Sequence, residues 1–388
     1  MVVRLQNTIR DYAWGSRTAI PELIGVEPDG RPQAEVWMGA HESAPSLLPS
    51  GESLFALVSA DAVGVLGEET AAAFDGRFPF LAKILAAEQP LSIQAHPSRE
   101  QAVDGFARDE AAGIPRDAGD RNYKDAWPKP EILIALGPFD ALVGFRPIAS
   151  SVALLQTLGV LDELRELLLD GKLQEAFTSF MSTDRDAIRP LVAALGEACR
   201  AYEGAEFALE TETLARLCDE FPDDPGVLAA LLLNRVRLER FDAVYLPAGN
   251  VHAYLHGTGF EVMANSDNVL RGGLTRKHVD VPELVSVVDF EPLESPLLAG
   301  TAVAPGVTEY ETGCEYFAVR RIDLAGTPVE VAAGGPRIVA CVDGSATVGA
   351  GGTDEVVELS AGQSAFLRGP EGPCTLRGSG TAFVVSAR

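Results

Sequence analysis

The sequence predicts a mainly β protein carrying one helical insert, and three changes of pattern along the chain support that. Residues 1–50 alternate short apolar runs with Gly and Pro, as strands and turns do. From Ser150 the apolar residues fall at helical spacing, Val152, Leu155 and Leu158, then Leu161, Leu164 and Leu168. Beyond about residue 300, short β-like runs return between Gly-rich turns, as in 337–342 before Asp343-Gly344 and in 362–367. The pattern divides the chain into a discontinuous β domain (1–148 and 240–298), a helical insert (149–239) and a second β domain (299–388).

A chain of 388 residues, 47% apolar, is long enough for two or three domains with a substantial core. Its net charge of −25, from 56 acidic and 31 basic residues, repels phosphate polymers and anionic lipid, so nucleic-acid and membrane partners are not expected. A small anionic substrate then needs a local basic pocket. The five lysines are Lys83, Lys124, Lys129, Lys172 and Lys277, and all but Lys172 lie in or near the segments singled out below. The start of the chain lacks the apolar core of a secretory signal, and no run approaches the ~20 apolar residues of a membrane span, so a cytoplasmic protein is expected. Cys199, Cys218, Cys314, Cys341 and Cys374 are scattered, with no C-x-x-C pair, and read as reduced structural thiols rather than metal ligands.

In the first β domain, Tyr12-Ala13-Trp14-Gly15-Ser16 and Glu35-Val36-Trp37-Met38-Gly39-Ala40-His41 read as strands and turns. Residues 52–74 place Leu54, Val58, Val63 and Leu66 among small residues, as a surface helix with a loop would. Residues 78–85 read as a strand with Lys83 exposed on it or buried opposite an anion. The polar stretch 98–125 predicts a long loop near the site, helical over 101–112. Within the insert, helices are predicted over 187–202 and 208–218. Asp223-Asp224-Pro225 then supplies a cap and a first-turn proline for a helix over 226–238. The insert holds no histidine, so it reads as scaffold or lid. Strand character resumes at 241–246.

The most informative stretch is Pro90-Leu91-Ser92-Ile93-Gln94-Ala95-His96-Pro97. If 91–96 is a strand, Gln94 and His96 face the same way. Two ligands on one strand cannot complete a tetrahedral or octahedral metal site, so distant partners are required. The chain has five histidines, His41, His96, His252, His256 and His278, with none between 97 and 251. Glu131 opens an apolar run after two prolines, and His252 follows the tight turn Pro247-Ala248-Gly249-Asn250-Val251. Gln94, His96, Glu131 and His252 together form the arrangement of a cupin, in which two ligands two apart, a later Glu and a final His converge inside a jelly-roll barrel. The C-terminal β domain, without His or Lys, is expected to be a second, metal-free barrel-like unit. A neutral amide among the ligands suits redox-silent Zn²⁺, one per chain.

Six segments carry a closer resemblance: Tyr12-Ala13-Trp14-Gly15-Ser16, Glu35-Val36-Trp37-Met38-Gly39, Gln94-Ala95-His96-Pro97, Lys129-Pro130-Glu131, the run from Pro247 to Tyr254, and the run from Asn265 to Thr275. In this order, over about residues 1–290, the chain resembles the type I mannose-6-phosphate isomerases of the cupin superfamily. The resemblance implies one zinc held by Gln94, His96, Glu131 and His252. It also implies interconversion of mannose 6-phosphate and fructose 6-phosphate, feeding GDP-mannose metabolism, with Arg271 in the active site. The chain departs from the pattern in one place, with Trp127-Pro128 where many members have Asn-His before Lys-Pro-Glu. A catalytic role for that histidine does not carry over.

Aldose–ketose interconversion through an enediol needs a base, an electrophile for the developing oxyanion and an anchor for phosphate. Zinc serves as electrophile. Arg271, permanently charged and fork-shaped, suits either the enediolate or the phosphate, and Gly272-Gly273 lets backbone approach the ligand. Lys83, Ser92, Lys129 and Lys277 are candidates for holding the sugar and phosphate, and Trp14 and Tyr254 for walling the pocket. Glu261, Asp267 and Lys129 are the candidate bases, and the sequence does not choose among them. His41, His256 and His278 fall to supporting or structural roles. The competing readings are an Fe(II) cupin oxygenase and a non-catalytic sugar-phosphate-binding cupin; the Gln ligand, the lysines and the intact ligand set argue against them. The sequence does not fix the oligomeric state, for which a monomer is the default expectation.

Overall fold

A computed structural model describes residues 2–351 and 355–388. Two antiparallel sheets dominate. The first runs, strand by strand, through Leu297–Leu298, Ala243–Leu246, Glu131–Phe145, His252–Ala264, Phe80–Ala87, Glu35–Gly39 and Thr8–Arg10. Leu233–Leu238 pairs with Glu131–Phe145, and the short Gln94–Ala95 lies between His252 and Leu270–Arg271. The second sheet runs through Val2–Leu5, Ser364–Leu367, Arg337–Ala350, Cys374–Ser386, Ala318–Ala325, Val307–Tyr310 and Thr301–Ala304.

Both hydrogen-bonded paths have free ends, so the closed barrels expected from the sequence are open sheets. The two longest strands of the first sheet change partners along their length. Glu131–Phe145 shifts register against His252–Ala264 between Ala135 and Phe139 and again between Asp140 and Ala141. Such bulges bend a strand and end its pairing with one neighbour. Accordingly the first part of Glu131–Phe145 takes Ala243–Leu246 as its other partner and the last part takes Leu233–Leu238.

Side chains directly opposite each other in an antiparallel ladder share a face. One row across the first sheet is Trp37, Lys83, Glu261, Leu133 and Val244, and the next is Gly39, Leu81, Met263, Glu131 and Leu246. This face carries the charged groups. The alternate residues, Val36, Met38, Ala82, Ile84, Ile132, Ile134, Phe260 and Val262, point the other way. They share one buried core with Ile338, Ala340, Phe366, Phe383 and Val385 of the second sheet. Phe260 stacks on Phe383 with ring centroids 4.5 Å apart. Burial of such side chains contributes roughly 1.5–3 kcal/mol each, which commits that face to packing and leaves the other for chemistry.

Residues 148–232 hold the helices Ile148–Leu158, Asp162–Leu169, Leu173–Met181, Arg185–Ala201, Ala208–Glu220 and Gly226–Leu232. Their apolar stripes, with Leu155, Phe177, Ile188, Leu195 and Leu217, pack on Ile93, Ala95, Val251 and Ala253. The helices therefore rest on the strands that carry Gln94 and His252. No helix among the described residues is long and apolar enough to cross a membrane, and the five cysteines are buried thiols.

Four expectations need correction. The helix expected over 226–238 stops at Leu232, and Leu233–Leu238 is a strand. There the Asn234 amide donates to main-chain carbonyls of Val143, Phe145 and Leu293, contacts that hold the segment extended. The region 52–74 is not one helix but three, Leu54–Ala60, Ala62–Leu66 and Glu68–Ala73, the first two capped by Ser53 and Asp61. The strand expected over 91–96 is in register only at Gln94–Ala95. Finally, Val2–Leu5, expected in the first β domain, pairs with Ser364–Leu367 in the second sheet.

Candidate active site and metal centre

The floor of the site is set by backbone pairing. Gln94 lies opposite His252 on one side and opposite Arg271 on the other, so these three side chains share a face. The turn before His252 closes with the Asn250 N–H on the Pro247 carbonyl, and the Gly249 N–H donates to the His96 carbonyl. Gly249 sits at φ +81°, where an added Cβ would come within 3.1 Å of Val287 O and the Asp289 main chain. Only glycine suits that position.

His96, Glu131 and His252 are wholly buried and converge on one point. His96 Nδ1 donates to the Asn268 carbonyl at 2.8 Å, and His252 Nδ1 to the Asn250 carbonyl at 3.1 Å. Since a carbonyl only accepts, both rings carry their proton on Nδ1 and present an unprotonated Nε2. Those two nitrogens lie 3.3 and 3.5 Å from the two oxygens of Glu131 and have no hydrogen-bond partner. Burial, together with the Lys129 charge, pushes the His96 pKa down to about 4 against the pull of Glu131. Two buried lone pairs facing a carboxylate leave a cation as the group that satisfies all three. Neutral imidazoles and a carboxylate form a donor set that Zn²⁺ accepts, so the residues fit the expected metal.

Charged neighbours surround this point. Lys129 Nζ is 2.9 Å from Glu131 Oε1, and the Tyr254 hydroxyl donates to Glu131 Oε2 at 3.4 Å. Burial pushes the Glu131 carboxyl up, but Lys129 and His96 hold it well below the usual range. One row away, Lys83 Nζ reaches Glu261 at 2.9 Å and Glu35 at 3.4 Å, and the Trp37 indole N–H donates to Glu35 at 2.8 Å. Burial alone would strip Lys83 of its proton; the carboxylates of Glu261, Glu35 and Glu131 outweigh it and raise its pKa. Glu261 is raised, by burial and by repulsion from Glu131 and Glu35, despite Lys83.

Arg271 is half-buried and has no carboxylate partner among the described residues; burial lowers its pKa. Lys277 lies at the exposed rim and is lowered by desolvation and by the charges of Arg271 and Lys124. Asp267 pairs with His41 at 3.3 Å; burial raises its carboxyl, but His41, Lys129 and Lys83 bring it down to about 2. A cavity of about 1000 Å³ lined by His41, Arg77, Lys124, Asp125 and Asp267 opens beside this pair. None of the three metal-facing residues lines it. Trp14 and Leu91 pack against the apolar cluster that contains Tyr254.

Of the residues expected at the site, His96, Glu131, His252, Lys129, Tyr254, Glu261 and Lys83 are therefore brought together, with Gln94 and Arg271 alongside. Asp267 and Lys277 stand at the edge, and Ser92 makes no side-chain hydrogen bond among the described residues. His41 joins the site through Asp267, whereas His256 and His278 are exposed. Two contributors escaped the sequence reading. Glu35 had its signal in a charge two residues before Trp37 on an apolar strand, and Asn268 acts through its main chain, which leaves none.

A β-rich chain that buries a His-Glu-His cluster beside lysines and an unpaired arginine is a metal-binding cupin enzyme. The model for phosphomannose isomerase type I, catalytic domain, matches residues 2–148, and that for the mannose-6-phosphate isomerase cupin domain matches residues 306–387. Mannose-6-phosphate isomerase of Escherichia coli (strain K12) is 39% identical over 387 residues, covering 97% of each chain. That of Arabidopsis thaliana, mannose-6-phosphate isomerase 1, is 32% identical over 350 residues, covering 83% of this chain and 78% of the relative. The crystal structure of zinc-bound mannose 6-phosphate isomerase superposes with a TM-score of 0.92 at 37% identity, covering 100% of this chain and 99% of that one. The apo form from Salmonella typhimurium gives the same values. This chain belongs to the type I mannose-6-phosphate isomerase family.

Proposed function

We propose that the protein is a zinc-dependent isomerase that interconverts mannose 6-phosphate and fructose 6-phosphate through an enediol, supplying mannose phosphate for GDP-mannose synthesis. The observation that carries this reading is the pair of unprotonated, unpartnered Nε2 atoms of His96 and His252 facing Glu131, in a chain of this family. Gln94, His96, Glu131 and His252 would hold the ion. Zinc, when bound, withdraws electron density from the sugar oxygens and eases loss of a carbon-bound proton.

The protein's own residues supply the rest. Glu261 takes the proton: burial raises its carboxyl above the ordinary carboxylate value, whereas Asp267 at about 2 is a weak base. Lys83 holds Glu261 in place, and Lys129 orients Glu131 and meets the sugar hydroxyls. Arg271, charged and without a carboxylate partner among the described residues, stabilises the enediolate oxygen, and Lys277 with Lys124 draws the phosphate to the rim. Trp14 and Tyr254 wall the site, and Ser92 adds a hydroxyl beside Gln94. We assign the catalytic role to residues 1–148 and 240–298, with 149–239 as a supporting insert and 299–388 as a metal-free β unit.

A coupled assay for fructose 6-phosphate formed from mannose 6-phosphate tests the reading. Activity lost on chelation and restored by Zn²⁺ is the expected result. Oxygen consumption with bound iron, or sugar-phosphate binding without turnover, would replace it with one of the competing readings.

A further inference from the structure

A buried carboxylate of the helical region binds the loop that follows Arg271. Asp224, 2% exposed, accepts the Gly226 N–H at 2.8 Å and the Leu274 N–H at 3.0 Å on Oδ1, and the Thr275 N–H at 3.1 Å on Oδ2. Arg185 braces the same corner, with its guanidinium 3.6 Å from Asp224 Oδ2 and donating to the Thr275 carbonyl at 3.2 Å. Here the two backbones touch. A Cβ added to Gly226 would sit 2.5 Å from Leu274 N, and one added to Gly273 would sit 2.3 Å from Gly226 Cα.

The opposite edge of the loop is held as firmly. The Gly272 N–H donates to the Ile93 carbonyl at 2.7 Å, and the Ile93 N–H to the Gly273 carbonyl at 3.0 Å. Between these two grips Leu274 takes a left-handed conformation, φ 52°, which a branched side chain adopts only when its surroundings impose it. Arg271 opens this clamped loop, opposite Gln94, and among the described residues no carboxylate pairs with its guanidinium. The backbone from which Arg271 projects is therefore fixed on both sides of the loop.

We propose that Asp224 is a positioning residue for Arg271, holding the loop from Arg271 to Thr275 against the strand of Gln94 so that the guanidinium meets the reacting oxygen. The proposal rests on the reading of Arg271 given above. In physical terms, the carboxylate takes up the two N–H groups that a relaxed loop would offer to water, and so keeps the arginine aimed without neutralising it. Loss of that aim costs rate, because displacement by about 1 Å lowers turnover up to 10²-fold.

The test is a double-mutant cycle on kcat, KM and zinc affinity, the last by chelator competition, for wild type, Asp224→Asn, Arg271→Ala and the pair. Asp224→Asn is expected to lower kcat roughly 10- to 100-fold with zinc affinity unchanged, and to lower it no further once Arg271 is gone. Arg185→Gln, half-exposed and gentler on folding, is expected to give the same pattern with a smaller loss, and serves if Asp224→Asn does not fold. If Arg271→Ala is impaired but the second substitution repeats its full loss in that background, or has no effect in wild type, Asp224 has no positioning role and only this proposal falls. If Arg271→Ala itself has normal kcat and KM, the catalytic reading of Arg271 falls and takes the proposal with it.

Discussion

The main-chain carbonyl of Asn268 receives the Nδ1 proton of His96 at 2.8 Å, and this one contact decides which imidazole nitrogen faces Glu131. The Asn268 side chain, fully buried, does a second task. Its amide donates to the carbonyls of Asp125 and Trp127 at 2.7 and 2.8 Å, and its oxygen accepts the Lys124 N–H at 2.7 Å. One residue thus orients a metal-facing histidine and folds the loop that leads into Lys129 and Glu131.

Asn268→Asp keeps the shape but turns a donor into a carboxylate oxygen aimed at two carbonyls. It is expected to destabilise the apo protein by ~1–3 kcal/mol and to weaken zinc binding. Denaturant melts and chelator competition measure the two effects; unchanged values in both would show that the loop does not depend on this amide.

Purified protein is expected to hold about one zinc per chain, and His252→Ala or Glu131→Gln to reduce that content sharply. Elemental analysis decides. Retention of full metal content in both variants would place the ion elsewhere.

Arg271→Ala separates metal binding from turnover. A group that stabilises charge present only in the transition state lowers kcat when lost, roughly 10²-fold or more, while zinc affinity and thermal stability stay close to wild type. A loss confined to KM would instead assign Arg271 to ground-state phosphate binding.

Lys83→Met leaves Glu35 and Glu261 buried without their shared cation, and is expected to cost ~3–5 kcal/mol of stability. Glu35→Gln, which keeps an acceptor for the Trp37 indole, is expected to cost less, ~1–3 kcal/mol. Equal losses in urea denaturation would mean that Glu35 and Glu261 do not share the lysine.

Asp267, with its carboxyl at about 2 beside His41 against an ordinary 3.8, is more readily charged in the folded state than in the unfolded one. Its contribution is therefore complete above the ordinary value and disappears as pH falls towards 2. The Tm difference between wild type and Asp267→Asn is expected to be steady above pH 5 and to narrow as pH drops below 4. A difference that stays constant through that range would rule out the pairing as its source.

What the sequence made legible follows from scarcity and spacing. With five histidines in the chain, and Gln94 and His96 two apart before a proline, few metal sites could be drawn, and the structure brings His96, Glu131 and His252 to one point. Pairings that depend on register were out of reach. Nothing local says that Lys83 lies opposite Glu261, 178 positions on, or that Glu35 joins them. Asp223-Asp224-Pro225 reads as a helix start from its residue types alone, and Asp224 does accept the Gly226 N–H, whereas its bonds to Leu274 and Thr275 depend on tertiary packing. The strand Leu233–Leu238 was hidden by the leucines before it, whose helical period ran on past the point where alternation begins.

The edge strand Val2–Leu5 has a consequence for how the chain is made. It pairs with Ser364–Leu367, so its partner is synthesised about 360 residues after it. At about 5–20 residues per second that is a wait of roughly 20–70 s, during which Val2 and Leu5 have no sheet to join. The helices and the first sheet can assemble in that interval, but the second sheet gains this edge only once Ser364–Leu367 has been made. Such a long-range closure is intrinsically slow, and it makes Val2–Leu5 and Ser364–Leu367 a single cooperative element that no cut between the sheets would preserve.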